Sequence, residues 1–118
     1  MKIAFDNTKP IGSDWSKDRV VNARAAELLS VTVQDKSGAG FYLQIFDSGT
    51  DKSGNENLIA TQIVPAGGFV SVNFAHTING TTFGREMKQG IYLAASTDPH
   101  QKTLLATNDA FFTCAFKV

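Results

Sequence analysis

The sequence predicts an all-β protein: an antiparallel β-sandwich, jelly-roll-like, with an irregular N-terminal arm. Three observations lead there. Apolar and polar residues alternate at period two from residue 28 onward, turn signals interrupt the alternation at short intervals, and only one stretch hints at helix. The 118 residues carry 42% apolar residues, nine Phe among them, which is one domain's worth of core. The division read from the pattern is an extended arm over residues 1–19 and a single sandwich over residues 20–118.

Residues 6–18 are polar, contain Pro10 and Gly12, and hold the single Trp, Trp15. That is long for a connection without a period of its own. Trp15 reads either as a plug for one end of the sandwich or as an anchor on another subunit. The short apolar start, Ile3 and Phe5, suits a strand added to a sheet edge, its own or a neighbour's. Residues 20–22 and 27–34 read as strand with a bulge near Ala25 and Ala26, although the alanines of this stretch favour helix. In Leu29-Ser30-Val31-Thr32-Val33-Gln34 the apolar side chains take one face and the polar ones the other.

Residues 41–46 (FYLQIF) and 91–95 (IYLAA) are apolar on both faces, as central strands are. Residues 58–64 form a further strand with Ile59 and Ile63 directed inward. Val70, Val72 and Phe74 alternate with Ser71 and Asn73, and Phe112, Cys114 and Phe116 with Thr113, Ala115 and Lys117. The expected core is Leu29, Val31, Val33, Leu43, Ile45, Val70, Val72, Phe74, Leu93, Phe112 and Phe116, with Cys114 as a packing residue. Turns fall at residues 35–40, in the polar loop 47–57, at 65–68, at Asn79-Gly80, at 88–90 and at 98–100. Asn-Gly is the strongest of these signals because both residues tolerate positive φ.

Eleven Lys and Arg balance eleven Asp and Glu. A nucleic-acid binder would show a basic excess, and the strand aromatics have no basic residues interleaved with them. One cysteine excludes an internal disulfide and a paired-cysteine zinc site. The start of the chain lacks the apolar stretch of a secretory signal, and no run reaches the ~18 apolar residues of a membrane span. The expectation is a soluble protein made in a cytoplasm.

Catalytic residues are expected to be none. His76 and His100 are the only histidines, no Gly-x-Ser-x-Gly elbow occurs, and Cys114 alternates with core phenylalanines. The acidic loop 47–57 fails the spacing of a calcium-binding EF-hand, and Gly38-Ala39-Gly40 leads into a strand where a dinucleotide fingerprint needs a helix. Metal and cofactor ligands are likewise expected to be none. Tyr42 and Tyr92 lie on strands opposite the core face, so both are candidates for an outer contact surface, with a partner or with a sugar.

The run Gly40-Phe41-Tyr42-Leu43-Gln44-Ile45-Phe46-Asp47 resembles a recurrent stretch of small virion structural proteins of tailed bacteriophages. Gly90-Ile91-Tyr92-Leu93-Ala94-Ala95-Ser96-Thr97 and the closing Ala106-Thr107-Asn108-Asp109-Ala110-Phe111-Phe112 resemble them too. The resemblance spans residues 28–117 as a pattern of strands and turns without a catalytic signature. It implies a β-sandwich on the particle, a capsid decoration or cement protein, with a tail or fibre-base component as the alternative. Its partners would be the major capsid protein or other virion proteins and further copies of itself, without direct contact to nucleic acid or membrane. The partner-binding candidates are Ile3, Phe5, Trp15, Tyr42 and Tyr92. A small carbohydrate-binding module is the competing class.

Overall fold

The computed structural model describes residues 3–6 and 15–118. They form β1 (Ile3–Asp6), β2 (Asp18–Asn22), β3 (Ala26–Asp35), β4 (Phe41–Phe46), β5 (Leu58–Val64) and β6 (Phe69–Asn73). Three short strands follow, β7 (His76–Ile78), β8 (Thr81–Phe83) and β9 (Arg85–Met87), and then β10 (Ile91–Ser96) and β11 (Ala110–Lys117). A single turn of 3-10 helix at Asn55–Asn57 precedes β5.

One sheet runs β1-β11-β3-β6 and the other β2-β10-β4-β5, all pairs antiparallel. Leaving β7, β8 and β9 aside, the first strand pairs with the last, the second with the last but one, β3 with β6, and β4 with β5. The chain is thus one long hairpin rolled into two facing sheets, which is the jelly-roll topology. β9 extends the β6 side of β3 by pairing with Ala26, Glu27 and Leu28, while β7 and β8 pair only with each other.

The doubly apolar runs are the central strands β4 and β10. Their inward residues Phe41, Leu43, Ile45, Ile91, Leu93 and Ala95 meet Leu28, Val31, Val33, Phe112, Cys114 and Phe116 of the opposite sheet. Val70, Val72 and Phe74 pack against this core half-buried, since β6 is an edge strand. The outer face of β4 and β10 is buried as well. Phe46, Tyr92 and Ala94 form a second cluster with Leu58 and Leu104, roofed by the loops at 47–57 and 97–109. Lys102 joins those loops, its Nζ donating to the Asp51 carbonyl at 2.6 Å.

Two register shifts change which side chains face inward, adding Leu28 beside the buried Leu29 and turning Ile63 out. Between Ala115 and Phe116 the register slips so that Leu28, opposite Phe116, enters the core; Leu29 is the bulged residue, buried against Gly84. A second shift between Ile45 and Phe46 leaves Ile59 unpaired, and Ile59 turns to the core while Ile63, paired with Tyr42, faces out. A one-residue slip reverses every later side chain, so Ile59 and Ile63 cannot share the inner face.

Ile3–Asp6 pairs with residues 114–117 of β11, and β2 begins at Asp18, so both belong to the sandwich. β11 without β1 would present an open edge, and backbone pairing covers it with little demand on sequence. Ser16 bridges Ala110 through two backbone hydrogen bonds, and Lys17 then accepts from Ala95 N in the other sheet. The chain crosses between the sheets there. Residues 1–2 and 7–14 of the expected arm lie outside the described residues.

Candidate functional site

The jelly-roll path sorts the connections into two ends. The turns at 36–40 and 65–68 and the start of the 97–109 loop lie at one end. Residues 23–25, the 47–57 loop and the β7–β9 segment lie at the other. An aspartate organises each. At the first end Asp35 accepts from Ser37 N (2.7 Å), Ser37 Oγ (2.6 Å), Gly40 N (2.9 Å) and Gly67 N (3.0 Å), tying both turns to one carboxylate. Burial pushes this carboxyl up, but the Ser37 hydroxyl and the Gly67, Ser37 and Gly40 amides together hold it below its ordinary value. At the second end Asp47 accepts from Lys88 N (3.0 Å), Gln89 N (2.8 Å) and Gly90 N (3.4 Å).

The turns held by Asp35 wall a groove of about 340 Å³. Tyr42, half-buried, and Ile63, 60% exposed, line it side by side on the outer face, with Thr97, Pro65 and Ala66 around them. None of its lining residues is charged. The roof that covers Phe46 and Tyr92 does not extend over Tyr42 and Ile63.

The second end carries the β7–β8 hairpin. Asn79 (φ 50°) and Gly80 (φ 80°) make its turn, both left-handed, which matches the twist of the strands. His76 lies opposite Phe83 and stacks on it with ring centroids 5.7 Å apart. Ile78, 55% exposed, shares their face, while Thr77 and Thr82 occupy the other. Lys117, buried at the end of β11, fastens the hairpin: its Nζ donates to the Thr82 carbonyl, lies 3.5 Å from Glu27 Oε2, and sits 5.9 Å from the Phe83 ring centre.

A third surface is the outer face of the β1-β11-β3-β6 sheet. Its registered rows are Phe69–Gln34–Phe111, Ser71–Thr32–Thr113 and Asn73–Ser30–Ala115, without a charge among them. Thr32 and Ser71 share a 2.7 Å hydrogen bond, and Phe69 is 69% exposed.

The five partner candidates separate. Ile3 and Phe5 sit on β1, paired along the backbone with Lys117 and Ala115 of the same chain. Trp15 is half-buried against its own sheet, edge-on to Phe111 at 5.5 Å, with Lys36 Nζ 4.9 Å over its ring. Tyr42 reaches the groove. Tyr92 does not reach any outer surface: it is 0% exposed, its hydroxyl donates to Asp18 Oδ2 at 2.7 Å, and Lys102 Nζ lies 5.0 Å over its ring. Burial and the neighbouring Asp18 push its phenol far above the ordinary tyrosine value. Tyr42 and Tyr92 therefore share a sheet face but not a surface, because the loops roof only one of them.

The exposed apolar residues Ile63, Phe69, Ile78 and Phe83 were not among the candidates. The signal available for the hairpin was Asn79-Gly80 between two short uncharged segments. Among the described residues no group of three or more His, Cys, Asp or Glu side chains is placed to hold a metal ion, and no helix is long and apolar enough to cross a membrane. Cys114 is buried in the core. Comparison with protein-family models, with curated proteins and with solved structures finds no match.

Proposed function

We propose that the chain is a non-enzymatic structural protein of a tailed-phage virion, a decoration protein that stabilises the shell through contacts with the capsid protein and with its own copies. The observation that carries this reading is a jelly roll whose two ends leave uncharged apolar surface in solvent, at Tyr42 and Ile63 and at Ile78 and Phe83. Clustered exposed apolar side chains are where partners dock. Jelly rolls recur in viral capsid proteins and in lectins, and the motif resemblance favours the first of these. Rolling one hairpin into two stapled sheets yields a stiff block, which is what a load shared among many subunits requires.

The neutral rows from Phe69 to Ala115 favour carbohydrate binding as a second reading, since hydroxyl and amide side chains beside aromatic rings suit an uncharged sugar. Co-sedimentation with purified empty shells separates the two. The virion reading expects saturable pelleting that Ile78→Glu or Ile63→Glu weakens and Thr32→Glu leaves unchanged. Absence of pelleting, together with glycan binding lost in Thr32→Glu, would establish the second.

A further inference from the structure

We infer that Asn79 is a site of spontaneous deamidation, at which the tip of the β7–β8 hairpin acquires a carboxylate. The inference concerns the free chain and holds whether or not the protein sits on a shell. Seven asparagines occur in the sequence, and Asn79 alone is followed by glycine. The reaction needs the next residue's backbone nitrogen to reach the asparagine Cγ, and glycine has no Cβ to crowd that approach. A Cβ placed on Gly80 would meet nothing within 4 Å, so the space around this peptide is open as well. The side chain is equally unhindered. Asn22 donates to the Arg24 carbonyl, Asn55 accepts from Lys102 N, and Asn73 accepts from Ala75 N. The Asn79 carboxamide, by contrast, makes no hydrogen bond to the described residues.

The place of this dipeptide in the fold lets the reaction proceed on the native protein. Residues 76–80 are exposed, and β7 and β8 pair with each other and with neither large sheet. Lys117 ties β8 down at Thr82, behind the tip. The closed turn holds Asn79 at φ 50° and Gly80 at φ 80°. Ring closure requires that turn to relax. A lone hairpin of two three-residue strands is marginal in water, so it opens locally while the sandwich stays folded. The Gly80 nitrogen, giving up its proton to water or hydroxide, bonds to Asn79 Cγ; the Cγ–Nδ2 bond breaks and ammonia leaves. Water then opens the five-membered imide at either carbonyl. Breaking the new N–Cγ bond yields an aspartyl residue. Breaking the original main-chain bond yields an isoaspartyl residue, with one methylene more in the backbone of the turn. Either product puts a negative charge on residues 76–83, which contain no Asp, Glu, Lys or Arg, in a chain of zero formal net charge.

The test is incubation of the purified full chain in neutral buffer, beside a second sample unfolded in guanidinium chloride, with peptide mass mapping of both at intervals. In the unfolded sample sequence alone acts, and it is followed until its Asn79 has converted. Over the same period the native protein should gain about 1 Da at Asn79 per event. The product should be a mixture of aspartyl and isoaspartyl forms, and a more acidic peak should grow on anion exchange. Asn22, Asn55 and Asn73 should keep their mass in the native sample. Asn79→Asp should elute at the position of the new peak from the start. Asn79→Gln should not develop that peak, because ring closure would then need a six-membered imide. Native Asn79 that stays intact while the unfolded sample converts would mean that the closed turn protects it, and would overturn the inference. Faster conversion at any other asparagine of the native protein would do the same, as would aspartyl product free of isoaspartyl, which bypasses the ring.

Discussion

Asp35 shows how one residue shapes a surface it does not itself form. Its two oxygens collect three backbone amides and a hydroxyl from the turns that wall the groove. Asp35→Ala removes the shared acceptor of four hydrogen bonds made to a charged group and should cost about 1–3 kcal/mol in denaturant unfolding. The pH dependence follows from the lowered carboxyl value. A group whose folded value lies below its unfolded one contributes in full above the unfolded value, here 3.8, and loses that contribution as pH falls through the folded value. The stability gap between wild type and Asp35→Ala should therefore be constant near neutrality and narrow below about pH 4. A gap that widened on acidification would contradict the assignment. Tyr92 makes the second residue-scale case. Tyr92→Phe removes the donor to Asp18 and should cost about 1–2 kcal/mol. In an alkaline spectrophotometric titration the native Tyr92 phenol should ionise only as the fold is lost.

At the scale of elements, the connection between β6 and β10 is where local geometry is tightest. Gly84 joins β8 to β9, and a Cβ there would stand 2.4 Å from the Leu28 carbonyl oxygen and 2.9 Å from Leu29 Cδ2. Gly84→Ala must push the hairpin off β3 and should cost about 1–3 kcal/mol. Hydrogen exchange should then rise first at residues 76–87; exchange rising equally across β4 and β10 would instead mean that the whole sandwich is strained. Alternation exposed β3, β6 and β11 in the sequence because each has one polar face, and double-sided apolar runs exposed β4 and β10 as central. The bulge at Ile59 was not legible, since an extra residue leaves no mark in composition and only reverses parity, which sent Ile63 into solvent. The roof over Tyr92 was equally hidden: the loop 47–57 and the turn at 98–100 read as solvated polar connections, yet Lys102 and Leu104 close over the ring beside Leu58. His76–Ile78 and Thr81–Phe83 are too short to show a period, so only their turn was visible.

For the whole molecule, the path of the chain matters more than any side chain. Pairing first strand with last places both termini of the rolled hairpin on one sheet and sends the turns to two opposite ends, each stapled by an aspartate. Each end also carries one exposed apolar surface, at Ile63 and at Ile78 and Phe83, and these are the surfaces proposed to meet other subunits. Hydrogen exchange compared between the free protein and the protein on assembled shells tests that assignment most directly. Protection should be gained at residues 39–42, 63–66 and 76–83, with β3 and β11 unchanged. Binding to the shell with those three segments exchanging as freely as before would contradict it.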